Sequence, residues 1–122
     1  MQVIYRLSDN GYVKPKFPHA TKQHCLENVW KHFKDARFHL LVDETNLTEE
    51  TAVLFGFGRR HPEWNGVVEY YTGGSSAASW RFAWEYMKTL PKDNILFQED
   101  DYLYLPNSFT VLHEGLELAD YV

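Results

Sequence analysis

Cysteine is nearly missing from this 122-residue chain: Cys25 stands alone, so no internal disulfide can form. It falls on the apolar stripe of an expected helix and reads as a buried, inert thiol. Long hydrophobic runs are missing as well. Arg6 and Asp9 interrupt the start, so no signal peptide is legible, and no stretch is long enough to span a bilayer. The expected location is the cytoplasm, without a membrane span. Basic charge is scarce: twelve Lys and Arg against seventeen Asp and Glu leave a formal charge of −5. Lys14 and Lys16 flank Pro15, and Arg59-Arg60-His61 make one short patch. Neither is the basic stripe that holds a phosphate backbone, so nucleic acid is excluded as the main partner. A small phosphorylated ligand is not excluded, because a metal ion could neutralise it.

Familiar chemical motifs are missing too. The histidines at positions 19, 24, 32, 39, 61 and 113 show no HxxxH or HxH spacing, so a zinc site is not expected. No P-loop, GxGxxG or GxSxG element occurs. Asp9 lacks the DxDx[T/V] arrangement of a haloacid-dehalogenase-type phosphoryl acceptor.

What is present is an alternation. Gln2 to Leu7 read as a strand closed by the turn set Ser8-Asp9-Asn10-Gly11. A helix is predicted over about residues 21 to 34, with Cys25, Leu26, Val29, Trp30 and Phe33 on one face. Phe38 to Val42 form a second strand ending at Asp43. Asn46 and Glu49 resemble a capping box that opens a short helix through Leu54, and Gly56 to Gly66 read as a loop. Val67 to Tyr71 are a third strand, and Gly73-Gly74-Ser75-Ser76 turn into a helix carrying Ala77, Trp80, Trp84 and Met87 on one side. Asn94 to Phe97 are a fourth strand, a helix begins near Asn107, and Asp120-Tyr121-Val122 look like the start of a fifth strand. This order predicts one α/β domain over residues 1–122, a mainly parallel sheet with helices on both faces. Ligands of such sheets bind beyond the carboxyl ends of the strands, where Asp9, Asp43, Gly73-Gly74 and Glu99-Asp100-Asp101 converge.

The stretch ILFQEDDYLYLPNS sets three acids side by side at a strand end. They read either as a solvated turn before a helix or as hard oxygen ligands for Mg2+ or Mn2+. The glycine turn reads either as an ordinary serine-capped helix start or as a phosphate cradle. Arg81, in the second turn of that helix, either reaches the phosphate or is solvated.

Laid out this way, ILFQEDDYLYLPNSF resembles the pattern of GT-A-fold glycosyltransferases: apolar strand, Asp-x-Asp, aliphatics, proline, helix. Here the acids take an EDD form. LLVDETN resembles the family's V-D-D-G-S segment, with Glu44-Thr45 departing from it, and GGSSAASWRFAWEYM resembles the helix before its metal strand. The resemblance implies a Rossmann-like nucleotide-binding half that takes a nucleotide-diphosphate sugar, UDP-sugars first, with Mn2+ or Mg2+. It implies that Asp101 holds the metal with Glu99 shaping the turn beside it. Asp100 would face the ribose, Asp43 the base, and Ser8 and Asp9 would line the nucleotide pocket; Arg81 transfers least well.

The family's later half supplies the acceptor site and, in inverting members, the base. Those parts have no counterpart here, so no catalytic base is assigned, and the expected chain is a fragment or a minimal nucleotide-sugar binder. The expected function is metal-dependent glycosyl transfer to an unidentified acceptor. The alternatives are a non-catalytic nucleotide-binding module and an α/β interaction domain using Trp64, Tyr70 and Tyr71. An open sheet edge leaves room for a homo-oligomer.

Overall fold

A computed structural model describes residues 1–8, 21–46, 48–64 and 66–120; the side chains of residues 46, 48–52 and 55 fall outside that description. The expectations at Asp9 and, at Tyr121-Val122, for the start of a fifth strand therefore lie outside the described residues. The elements run β1 (Gln2–Leu7), α1 (Lys22–His32), β2 (Arg37–Asp43), a 3-10 turn (Glu44–Asn46), α2 (Thr48–Arg60), β3 (Val67–Tyr71), α3 (Ser76–Met87), β4 (Ile95–Glu99) and α4 (Ser108–Leu118).

The sheet is wholly parallel, in the order β3-β2-β1-β4. Alternation along β1 divides its side chains between two cores. Val3, Tyr5 and Leu7 pack with Leu26, Val29 and Trp30 of α1, its C-cap Phe33 and Phe57 of α2, with Phe109 and Leu112 of α4 at the margin. Ile4 faces the other way, joining Leu41, Tyr71 and Ala83 of α3. The helices that step outward from β1 to β2 to β3 share one face. The helix α3, which returns the chain across the sheet to β4, covers the other, as right-handed crossovers require. β2 is buried along all but its first residue because both its faces are covered.

Three expectations are corrected. The helix opened near Asn46 runs on to Arg60 instead of ending at Leu54. Gly56 and Gly58 each weaken it by about 1 kcal/mol relative to alanine. Between them, however, Phe57 is 1% exposed and packs edge-on against Trp30 and Trp64, at 5.8 and 5.7 Å between centroids. That burial outweighs the propensity. β4 extends to Glu99, so the first of the three acids is still on the strand. On α3, Ser79 and Ala83 are the buried positions, with Phe82, Tyr86 and Met87 beside them, while Trp80 and Trp84 are half exposed. The helix is rotated away from the side its large indoles suggest.

A candidate nucleotide cleft at the sheet's switch point

Strand order reverses between β1 and β4: one crossover leaves β1 toward β2, and the last arrives on its other side. In open α/β sheets ligands bind at such a reversal, beyond the carboxyl ends of the strands. A cleft of about 260 Å3 opens there. Arg6 of β1 and Ser8 just after it enter the cleft, with Asp43 of β2, Glu99 of β4, and Asp100 and Asp101 just beyond that strand. Ser75, Ser76 and Ser79 line it from the start of α3.

The three acids do not face one another unaided. Arg6 and Glu99 are register partners in the sheet, and the Arg6 guanidinium donates to Glu99 Oε1. A second arm of Arg6 reaches the Ser76 carbonyl oxygen at 3.4 Å. Asp100 Oδ2 accepts from the Ser8 backbone N–H and from Lys22 Nζ, both at 2.9 Å. Repulsion among adjacent carboxylates is thus offset by one cation from β1 and one from α1.

Asp43 is the buried hub of the cleft, only 2% exposed. Its Oδ1 accepts from the Thr45 N–H at 3.1 Å, the Thr45 hydroxyl at 2.6 Å and the Gly73 N–H at 3.1 Å. Its Oδ2 accepts from the Gly74 N–H at 3.0 Å and the Ser79 hydroxyl at 3.1 Å. Burial alone would push the carboxyl up, but the hydrogen bonds from Thr45, Gly73 and Gly74 outweigh it and hold Asp43 below the usual carboxylate range. One side chain therefore fastens the end of β2, the β3–α3 turn and the first turns of α3. The turn leads cleanly into the helix: Ser75 caps it, its hydroxyl accepting from the Ala78 N–H at 3.2 Å.

The structure gathers Ser8, Asp43, Glu99, Asp100 and Asp101 into this one cleft. Arg81 is exposed on α3 and is not among the lining residues. Sequence reasoning missed Arg6, Lys22 and Ser79. A lone cation inside the apolar run of β1 was a signal for Arg6; Lys22 and Ser79 carried none.

The donor chemistry suits a hard cation. Carboxylate and hydroxyl oxygens line a single cleft. Among the described residues no three His, Cys, Asp or Glu side chains gather as a protein-only metal cage would need. A cation held here would take much of its coordination from substrate oxygens and water, the usual habit of Mg2+.

Fold and cleft together define a doubly wound α/β protein with an acidic cleft at its switch point. No protein-family model matches the chain, and no curated protein or solved structure matches it either. No helix among the described residues is long and apolar enough to cross a membrane.

Proposed function

We propose that this domain binds a nucleotide-diphosphate sugar, UDP-sugars first, together with Mn2+ or Mg2+, and transfers the sugar to an acceptor in the manner of GT-A glycosyltransferases. The observation that carries the reading is the convergence of the EDD stretch, Ser8 and the serine-rich start of α3 on one cleft at the β1/β4 reversal. A bound cation would act there as a Lewis acid on the departing diphosphate. Asp101 holds it, with the Glu99 carboxylate alongside; Asp100, fixed by Ser8 and Lys22, faces the ribose; Asp43 forms the floor on the base side. The start of α3 offers its N–H groups and dipole to the phosphates.

A second reading, a nucleotide-binding module without turnover, has its own observation. Glu99, Asp100 and Asp43 are all engaged by neighbouring donors, so none of the three is poised as a base.

Calorimetric titration of UDP in the presence of Mn2+, then with EDTA, tests the shared premise, with GDP as the control nucleotide. Metal-dependent heat is expected, and Asp101→Ala should weaken it at least tenfold, about 1.4 kcal/mol. Equal binding by Asp101→Ala, or binding indifferent to EDTA, would overturn the site. Hydrolysis of a UDP-sugar by the domain would then separate enzyme from module.

A further inference from the structure

We propose that Arg6 is a diphosphate-binding residue held in reserve by Glu99, so that cation and nucleotide each open the site for the other. The inference rests on the nucleotide reading above and adds to it both a residue and a binding order.

An arginine inside a central strand needs an explanation. The Arg6 side chain is 14% exposed, and its neighbour on the same face of β1 is the wholly buried Ile4. A semi-buried ion pair is a poor source of stability, because desolvating both charges consumes most of their attraction and an apolar pair often serves as well. The position therefore favours a role for the charge itself. The guanidinium lines the cleft and bonds the carbonyl of Ser76, the first residue of α3. A diphosphate placed against the start of α3 would meet a planar fork of donors suited to two phosphate oxygens at once.

Without a ligand that fork is spent on Glu99, its register partner. A cation arriving alone must compete with a guanidinium for Glu99. A nucleotide arriving alone must draw Arg6 from Glu99 and leave that carboxylate uncompensated. When both arrive, Arg6 turns to the diphosphate, Glu99 turns to the cation, and neither charge is stranded. Binding is then synergistic, and by linkage each ligand must tighten the other by the same factor.

The test is calorimetric titration of Mn2+ alone, of UDP in EDTA, and of each in the presence of the other, for the native chain, Arg6→Gln and Glu99→Gln. For the native chain we expect mutual tightening of about fivefold or more. Arg6→Gln should bind Mn2+ alone about threefold or more tighter, bind UDP about tenfold weaker, and lose most of the coupling. Glu99→Gln, on a side chain that is 40% exposed and tolerant of change, should do the reverse: tighter UDP in EDTA, weaker Mn2+ alone. If both variants leave the single-ligand affinities within about twofold while the native chain still binds UDP with Mn2+, the pair is merely structural and this inference falls alone. Absence of UDP heat from the native chain in every buffer would overturn the nucleotide reading itself, and this inference with it.

Discussion

At the scale of single residues, close packing around Asp43 leaves no room for error at Gly73. A Cβ there would meet Asp43 Oδ2 at 2.7 Å, Ser79 Oγ at 2.9 Å and Tyr71 Cε2 at 3.0 Å. Those atoms belong to the clamp and cannot all retreat. Gly73→Ala should cost about 2 kcal/mol, the ordinary penalty of overpacking, read as a lower urea midpoint at unchanged slope. A midpoint equal to the native one would show that the turn yields easily. Tyr5 makes the opposite case. Its hydroxyl is fully buried with no hydrogen-bond partner among the described residues, and burial, then the charges of Asp100, Cys25 and Asp101, push its pKa well up. Tyr5→Phe removes a desolvated group and nothing it bonds, so stability should hold or rise by up to about 1 kcal/mol. A loss larger than that would mean the hydroxyl has a partner. The acids at strand ends were legible in the sequence because their spacing and the apolar runs before them are local. The Arg6–Glu99 pairing was not, since 93 residues separate the two and only the β1–β4 register joins them.

At the scale of elements, a chain of contacts ties the sheet together at the end remote from the cleft. The N-terminal amine lies 3.1 Å from Asp93, and Gln2 Nε2 donates to the same carboxylate at 3.0 Å. That fixes the Gln2 amide with its oxygen toward His39, 2.8 Å from Nε2, so this nitrogen carries the proton. Tyr86 Oη then donates to Nδ1 at 2.9 Å, which joins the turn before β4 with β1, β2 and α3. Burial first, then the Arg37 charge, lower the His39 pKa, with Glu69 opposing. Because the folded chain resists protonation more than the unfolded one, the sign is fixed. The contribution of His39 is fully present above its unfolded pKa of about 6.5 and is lost as pH falls from there toward the folded value. Urea midpoints should therefore decline between neutral and mildly acidic pH, before the carboxylates titrate. His39→Phe should flatten that decline; if the slope persists in the variant, another group causes it. Element order was readable from the alternation of strand and helix, whereas the length of α2 and the facing of α3 were not. Phe57 and the rotated indoles are set by partners on α1, β4 and the loop before β3, which no local window contains.

At the scale of the whole molecule, topology sets the two ends of the sheet apart, and this gives a prediction independent of any one side chain. The carboxyl end carries the cleft between β1 and β4. The amino end carries a smaller cavity of about 170 Å3, lined by Trp30, Lys34, Phe38, Glu63 and Trp64. Both are concave, but only the first lies where the crossovers reverse, and the start of α3 lines it. A ligand bound at the reversal must slow opening of the backbone it touches, in proportion to its occupancy. Amide hydrogen exchange with UDP and Mn2+ should therefore show added protection at residues 6–8, 75–79 and 99–101. Residues 30–38 and 61–67 should exchange as in the free chain. Protection around Trp64 instead would place the ligand in the aromatic cavity and deprive the acidic cleft of its role. Protection spread evenly over both ends would report global stabilisation without locating a site, and Asp101→Ala would then decide: the spread must vanish with that carboxylate if the ligand sits at the switch point.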